Sequence, residues 1–545
     1  MSERYTVMPG VGREEIHLAD TTEAPAFDTA TAGTLTAVST TTHLLEGLKW
    51  LISFPAMLGA FLVGAAFWTG RAFGVDPDMW WHIKLGQTIL ATHHWPTVDP
   101  YSFTVHGQPW IAFEWLGDVL IGAVARIGGV RGLDALLIVL SAAVMLALYA
   151  FATIRSRNSK AGFLAAGALF FLANPPFSMR SQMLGYLFLV VTLIVLELFR
   201  QGNRRLIWLL PPLMLAWVNT HGSFIIGLGV ILIYLVCGLK EFHLGGIEAK
   251  SWTAKERVRL ELVFLLCLAV LPVTPYGTRL AVFPFQVASS LPVSMAHIQE
   301  WQPMPFTLVG GKMFLAMVLG FFILQMALNL TWRLEEVTLF LGGAAMACLH
   351  VRFILLFVPF FAPLLATVAA RWLPHYDRAR DKYVVNAVLM AGVIAAMMHY
   401  FPSRTFLDEK VAENFPTKAV EYMRQHPVPG PTFNNYGFGG YLIWSFGTEH
   451  KVFIDGRSEV YEEAGVLADY FHIMEVRPGA LTLLGNYGIQ SCLIERETPL
   501  ATVLSNLPDW QKVYWDNTTV LFVRRKAQAI SISRATPMNA SAPGE

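Results

Sequence analysis

The chain has 545 residues, 54% of them hydrophobic and 14% charged, whereas a soluble domain carries about 25% charged residues. With a mean hydropathy of +0.47, this composition excludes an ordinary soluble domain and gives a polytopic membrane protein. The net charge of +1 argues against a nucleic-acid partner. Four scattered cysteines (Cys237, Cys267, Cys348 and Cys492) give neither a disulfide framework nor a zinc spacing.

In chain order, residues 1–45 are rich in Thr, Ala and Ser and contain no apolar run, so a disordered cytoplasmic tail is expected rather than a signal peptide. A membrane span needs ~20 mostly apolar residues. Candidate spans are 49–70, 133–153, 161–174, 183–199, 206–219, 223–240, 259–273, 312–330, 337–349, 353–370 and 384–400, within a membrane domain at 46–400. They lack the alternation of barrel strands, which leaves helices. If the first span leaves the cytoplasm, the inner loops are Arg155–Lys160, Arg200–Arg205, Lys240–Arg259, Thr331–Glu336 and Arg371–Lys382. All but Thr331–Glu336 are basic, as cytoplasmic loops are. Eleven spans with a cytoplasmic N-terminus then place everything after Tyr400 outside.

The outer segments are poor in basic residues and dense in polar and aromatic ones. The first, 74–115, holds Asp76, Asp78, His82, Asp99, Trp110 and Glu114. Later turns add Arg180 and Gln182, Asn219 and His221, Glu300, and His350 with Arg352. Separate loops thus bring ionisable and amide groups to one membrane face, and intramembrane or juxtamembrane charges of this kind mark sites. Asp78 is placed to cap a helix starting at Met79; a cap accounts for one carboxylate and leaves the other. Trp80 and Trp81 read as interfacial anchors. His82 lies one helical turn after Asp78, so the two share a face. That spacing suits an oriented imidazole or two metal ligands, so a divalent cation stays open as a cofactor. Arg180 and Arg352 either snorkel to lipid phosphates or offer a guanidinium fork to the phosphate of a lipid-linked substrate. Asn219 and His221 suit either a capped hairpin or substrate contact.

The stretch Asp76-x-Asp78-x-Trp80-Trp81-His82-x3-Gly86-x2-Ile89, followed by Pro96-x2-Asp99-Pro100-Tyr101-Ser102, resembles the first outer loop of the GT-C superfamily of polytopic glycosyltransferases. The turn Trp217-x-Asn219-x-His221-Gly222, with Gly439–Trp444 and Ile454–Arg457, also resembles uncharacterised bacterial multi-pass proteins. The resemblance covers the membrane region to about residue 400. It implies a polyprenyl-phosphate-linked sugar donor, a lipid, glycan or protein acceptor, and membrane-parallel helices in the first outer loop. It also implies Asp76 or Asp78 as general base and His82 with Glu114 as orienting or acceptor-contacting groups. Arg180 and Arg352 become phosphate binders, with Gln182, Asn219, His221, Glu300 and His350 lining the substrate. Better-known members carry Asp-Glu or Glu-x-Asp followed by Tyr, where this chain has Asp-Pro-Asp and Trp-Trp-His; which carboxylate is the base stays open. The implied location is the bacterial inner membrane. A lipid-linked glycan transporter or flippase, an assembly scaffold, and a glycan ligase or polymerase are the alternatives. Transporters place polar groups near the bilayer midplane, and the mid-span positions here are almost wholly apolar.

Hydropathy falls after residue 400, and 401–530 is expected to be an extracytoplasmic α/β domain, with a disordered tail at 531–545. Strands are predicted at Pro431–Asn434, Lys451–Asp455, Gln490–Glu495, Val513–Asp516 and Thr519–Arg524, and helices at 416–426, 438–446, 465–475 and 500–506. The run Asn434–Gly440 reads as a tight turn with close backbone packing rather than a phosphate-cradling loop. Asp455 and Arg457 are candidate acceptor contacts, or a salt-bridged turn.

Overall fold

The computed structural model describes residues 46–71, 76–173, 177–289 and 291–525. The tails expected at 1–45 and 531–545 lie outside the described residues. Helices dominate up to residue 399. Among the described residues, four are long and apolar enough to cross a membrane: Trp115–Ser156, Gln182–Arg200, Val309–Leu328 and Val351–Ala369. Tyr383–His399 with Arg404–Asn414, bent by 63°, adds a fifth if the pair is one span. The count of eleven spans is therefore not confirmed: among the described residues four helices, or five with the bent pair, reach spanning length. Phe54–Gly70 and Phe224–Cys237 are apolar but shorter. The run at 206–219 is divided: a 3-10 turn, Leu206–Leu209, leads into Leu210–Val218, whose first turn holds Pro211 and Pro212. Proline lacks the N–H that would continue the preceding turn.

Two charged clusters mark opposite ends of the bundle. At one end, the C-terminal turn of helix Trp115–Ser156 carries Arg155, whose Nη2 donates to Glu336 Oε2 at 3.1 Å. Arg200, ending helix Gln182–Arg200, donates to Glu335 at 2.8 Å, and Arg333 donates to Glu197 at 2.7 Å. This explains why Thr331–Glu336 broke the basic pattern: its acids neutralise arginines from the neighbouring loops. The other ends of the same helices start beside Glu114 and Arg180, and helix Leu334–Leu349 runs from Glu335 and Glu336 to His350.

The stretch between residues 76 and 128 is mostly folded. Helix Met79–Thr92 packs on the first part of Trp115–Ser156, which is broken at Gly129, with φ 55 and ψ −147. The approach is close enough that a Cβ on Gly86 would lie 1.8 Å from the Asp118 carbonyl oxygen, and one on Gly122 would lie 2.7 Å from Gln87 N. Small residues are what allow two helix backbones to meet at such distances.

Residues 404–525 form an α/β unit with a four-stranded sheet. In spatial order its strands are Thr432–Asn434, Ser491–Glu495, Thr519–Arg524 and Trp510–Trp515; the first pair is parallel and the others antiparallel. Helices at Thr417–Gln425, Tyr436–Phe446, Val466–Met474 and Pro499–Asn506 match the predicted ones. Lys451–Asp455 is not a strand of this sheet. Its backbone turns instead to the 76–115 segment, with Val452 N donating to Tyr101 O at 3.0 Å and Phe103 N to Val452 O at 3.1 Å. Asn434–Gly440 has the close backbone packing expected, but as a helix start rather than a tight turn: Asn435 caps helix Tyr436–Phe446 by accepting from Gly437 N at 2.8 Å, and a Cβ on Gly440 would lie 2.4 Å from the Pro77 carbonyl oxygen.

The seam between this unit and the 76–115 segment is aromatic and ionic. Trp80 is buried edge-on against Phe415 and Tyr441 and beside Trp444, so Trp80 anchors this seam rather than a lipid interface. Trp81 is buried with it. Arg457 Nη1 donates to Asp99 at 2.6 Å, while its Nε and Nη2 grip Asp455 at 2.7 and 2.6 Å. Asp99 and Asp455 are 0% exposed and Arg457 is 1% exposed. Removing one partner of a buried ion pair strands the other charge and costs about 3–5 kcal/mol. Arg457→Met, which strands two carboxylates, is therefore expected to lower the thermal unfolding midpoint in detergent markedly. An unchanged midpoint would contradict this role.

Candidate functional site

The strongest constellation is centred on Arg180. Its Nε donates to Asp76 Oδ2 at 2.6 Å, and its Nη2 lies 2.9 Å from Asp78 Oδ2. Glu300 stands 3.9 Å from Arg180 Nη1 and 3.3 Å from Arg352 Nη1, bridging the two arginines. Arg352 also stacks over the Trp301 ring at 4.1 Å, a favourable place for a cation. Four segments far apart in sequence thus supply one alternating chain of charges: Asp76 and Asp78, Arg180, Glu300, Arg352.

Local structure explains how the two acids differ. Asp78 sits at the N-cap position of helix Met79–Thr92 without a side-chain cap bond, so its carboxylate stays free for Arg180. Asp76 Oδ1 accepts from Asp78 N at 3.0 Å. Burial pushes Asp76 up, yet the charge and hydrogen bond of Arg180 outweigh it and hold the carboxyl below its usual value. For Asp78 burial wins: helped by repulsion from Asp76, it keeps the carboxyl above its usual value despite Arg180. Two like charges on one cation split in this way.

Behind this centre lies a second group. His82 Nδ1 is 2.5 Å from Asp118 Oδ1, and its Nε2 is 3.6 Å from Glu114 Oε2. The other oxygen of Glu114 is 3.3 Å from His221 Nε2, and His221 Nδ1 is 2.7 Å from Ser223 Oγ. Burial pushes the Glu114 carboxyl up to about 7, against the pull of His82, and holds the His221 imidazole down at about 3.

Three solved structures align over most of this chain. The Archaeoglobus fulgidus oligosaccharyltransferase, tethered with an acceptor peptide containing the NVT sequon, aligns with a TM-score of 0.51 at 13% identity. The alignment covers 82% of this chain and 69% of the other. The chain has the GT-C fold. ArnT from Cupriavidus metallidurans, bound to undecaprenyl phosphate, aligns with a TM-score of 0.45 at 13% identity over 86% of this chain and 97% of its own. In its apo state ArnT gives 0.46, 13%, 89% and 98%. No protein-family profile and no curated protein matches the sequence. The apolar helices and the GT-C fold together make this a multi-pass membrane protein.

Within the GT-C frame, the remaining polar residues predicted for the site are tied up locally. Asn219 Oδ1 accepts from Trp115 Nε1 at 2.9 Å, and its amide donates to Leu215 O and Val273 O. His350 Nδ1 lies 2.6 Å from Trp301 O, and Gln182 donates to Ser178 Oγ at 3.0 Å. Asp455 and Arg457 adopt the salt-bridged alternative, and their burial leaves no atom facing an acceptor.

Sequence reasoning passed over Asp118, although an acid four residues after Glu114 at the start of an apolar helix was a visible signal. Gly456 and Tyr436, which lie in the Ile454–Arg457 and Asn434–Gly440 segments, were not read as belonging to the site, and neither was Glu459. The Asp78 carboxylate rests on Gly456, whose Cβ, if present, would lie 1.5 Å from Asp78 Oδ1; Tyr436 Oη donates to Gly456 O at 3.2 Å. Burial pushes the nearby Glu459 carboxyl up to about 7. Among the described residues, no three His, Cys, Asp or Glu side chains gather as metal ligands. The Arg180 guanidinium occupies the place between Asp76 and Asp78 that a divalent cation would take. These residues therefore do not fit a metal site in this arrangement.

Proposed function

We propose that this protein is a glycosyltransferase that moves a sugar from a polyprenyl-phosphate-linked donor to an acceptor on the extracytoplasmic side of a bacterial inner membrane. The observation that carries this reading is the pairing of Asp76 and Asp78 on Arg180, with Arg352 held beside them through Glu300. The fold shared with an oligosaccharyltransferase supports it.

In this reading the acceptor oxygen attacks the sugar's anomeric carbon while its proton passes to a carboxylate. The bond from that carbon to the phosphate oxygen breaks, and its electron pair leaves on the phosphate. That leaving group is already an anion and needs no general acid. Asp78 is the better base of the two, since its proton affinity is raised while that of Asp76 is lowered. Asp76 holds Arg180 in place. Arg352, stacked over Trp301 and held at 3.3 Å by a partly exposed Glu300, receives the phosphate.

The test begins with mass analysis of glycans and glycoproteins lost on deletion, followed by Asp76→Asn and Asp78→Asn with membrane abundance checked. Loss of a general base costs about 10²–10⁴-fold, so Asp78→Asn is expected to reduce transfer by that factor, with a smaller loss for Asp76→Asn. Full transfer by both variants would end the carboxylate-base mechanism.

A further inference from the structure

We propose that Glu114 is a positioning residue that shares one proton with His82 inside a buried string, Asp118–His82–Glu114–His221, and that this proton controls the charge next to the Asp76–Asp78–Arg180 centre.

Hydrogen-bond directions fix where protons can sit. The backbone N–H of Ser223 donates to His221 Nδ1 at 3.1 Å, so that nitrogen is an acceptor and the His221 proton resides on Nε2. From there it points at Glu114 Oε1, 3.3 Å away. Where His82 Nδ1 donates to Asp118 Oδ1, 2.5 Å away, its Nε2 is left without a proton facing Glu114 Oε2 at 3.6 Å. A bare imidazole lone pair opposite a carboxylate repels it. One proton between Glu114 and His82 turns that approach into an attraction, carried either as a neutral Glu114 or as a cationic His82. Asp118 Oδ2 is buried and has no hydrogen-bond partner among the described residues, so Asp118 finds its compensation in the contact with His82.

The string is held at glycine contacts. A Cβ on Gly117 would lie 2.5 Å from Ser181 Cβ, and one on Gly185 would lie 2.6 Å from Ser223 Oγ and 3.1 Å from His221 Nδ1. The groups cannot easily separate, and the protonation state has to answer to the geometry.

The charged and titratable groups around the pair come from every packed element. Asp76 and Asp78 precede helix Met79–Thr92, and Asp118 lies on helix Trp115–Ser156. Arg180 and Tyr186 flank and occupy helix Gln182–Arg200, and His221 lies in the 219–223 turn. Glu300 and Arg352 complete the set. Burial is the largest influence on Glu114 and raises its proton affinity, so the carboxyl is neutral below about pH 7 and ionises above it. Ionisation adds a negative charge within electrostatic reach of Arg180 and weakens the site's hold on an anionic, phosphate-bearing donor. This consequence rests on the proposed function; the shared proton does not.

Infrared difference spectroscopy of the purified protein in detergent, titrated in H₂O and D₂O, tests the proton directly. A protonated-carboxyl C=O band that disappears through about pH 7 is expected. It should be absent in Glu114→Gln and present but shifted in Glu114→Asp. In His221→Asn its midpoint should rise, because the ionised carboxylate loses a donor. A band that survives Glu114→Gln, or no titrating band in the wild type, overturns the proposal. In membranes that carry out transfer, the donor KM of the wild type should rise above neutral pH and that of Glu114→Gln should stay flat. Parallel profiles would overturn the coupling to donor binding. An inactive wild type with the titrating band intact would instead count against the proposed function.

Discussion

Replacing Arg180 with methionine is expected to abolish transfer and to destabilise the protein most at neutral pH. The substitution keeps volume and removes the one cation among the described residues that touches both Asp76 and Asp78. Breaking a buried pair costs about 3–5 kcal/mol, and the Arg180 side chain, 24% exposed, belongs at the lower end of that range. The pH dependence gives the sharper signature. In the wild type, Asp76 has a lowered proton affinity in the fold. It therefore contributes stability above the unfolded value of about 3.9 that is lost as pH falls through its folded value. Without Arg180 both carboxyls titrate above their unfolded values. Their contribution is then fully present below the unfolded value and lost as pH rises through the folded values. The variant should thus approach wild-type stability in acid and diverge from it towards neutral pH. Thermal unfolding across pH measures this, and a variant whose deficit is independent of pH would rule out the paired-carboxylate account. Arg180→Lys should fall between the two, because a point charge cannot satisfy both carboxylates as a planar fork does.

The parts of this protein legible in its sequence were those governed by local pattern. The convergence of Asp76, Asp78, Arg180, Glu300 and Arg352 was anticipated from the order of apolar runs and polar turns, with the turns expected on one membrane face from charge bias; the ion pairs join them. The sheet of the C-terminal unit followed from short apolar runs between turns. Where the reading failed, a tertiary contact had overridden the local preference. Trp80 has the composition of an interfacial anchor, yet Phe415, Tyr441 and Trp444 bury it. Lys451–Asp455 has the pattern of a sheet strand, yet Val452 exchanges its backbone bonds with Tyr101 and Phe103. Asp455 and Arg457 look like a ligand pair in isolation; only the position of Asp99, far away in sequence, shows that their charges are already matched. Asn219 and His350 illustrate the same limit, since their partners are backbone carbonyls and an indole that no spacing rule specifies.

Gly456→Ala should separate activity from folding. The added Cβ would lie 1.5 Å from Asp78 Oδ1 and 2.5 Å from its Cγ, and one side has to give way. The turn cannot retreat, because its neighbours Asp455 and Arg457 are locked to each other and to Asp99. The Asp78 side chain is the softer partner, and its displacement breaks the 2.9 Å contact with Arg180. Misplacing a catalytic group by about 1 Å costs on the order of 10²-fold in rate, while overpacking of this kind costs about 1–3 kcal/mol. Transfer should therefore fall by at least that factor in a protein that still reaches the membrane and unfolds cooperatively. Gly485→Ala is the control: it lies in helix Ala480–Asn486 with nothing within 4 Å of the new Cβ, and it should leave both properties unchanged. The Tyr436→Phe variant refines the reading, since it removes only the hydroxyl that donates to Gly456 O and should loosen the turn without filling it. Full transfer by Gly456→Ala would mean that the C-terminal unit does not seat Asp78. Loss in Gly456→Ala with retention in Gly485→Ala would make that unit part of the site's architecture rather than an appendage to it.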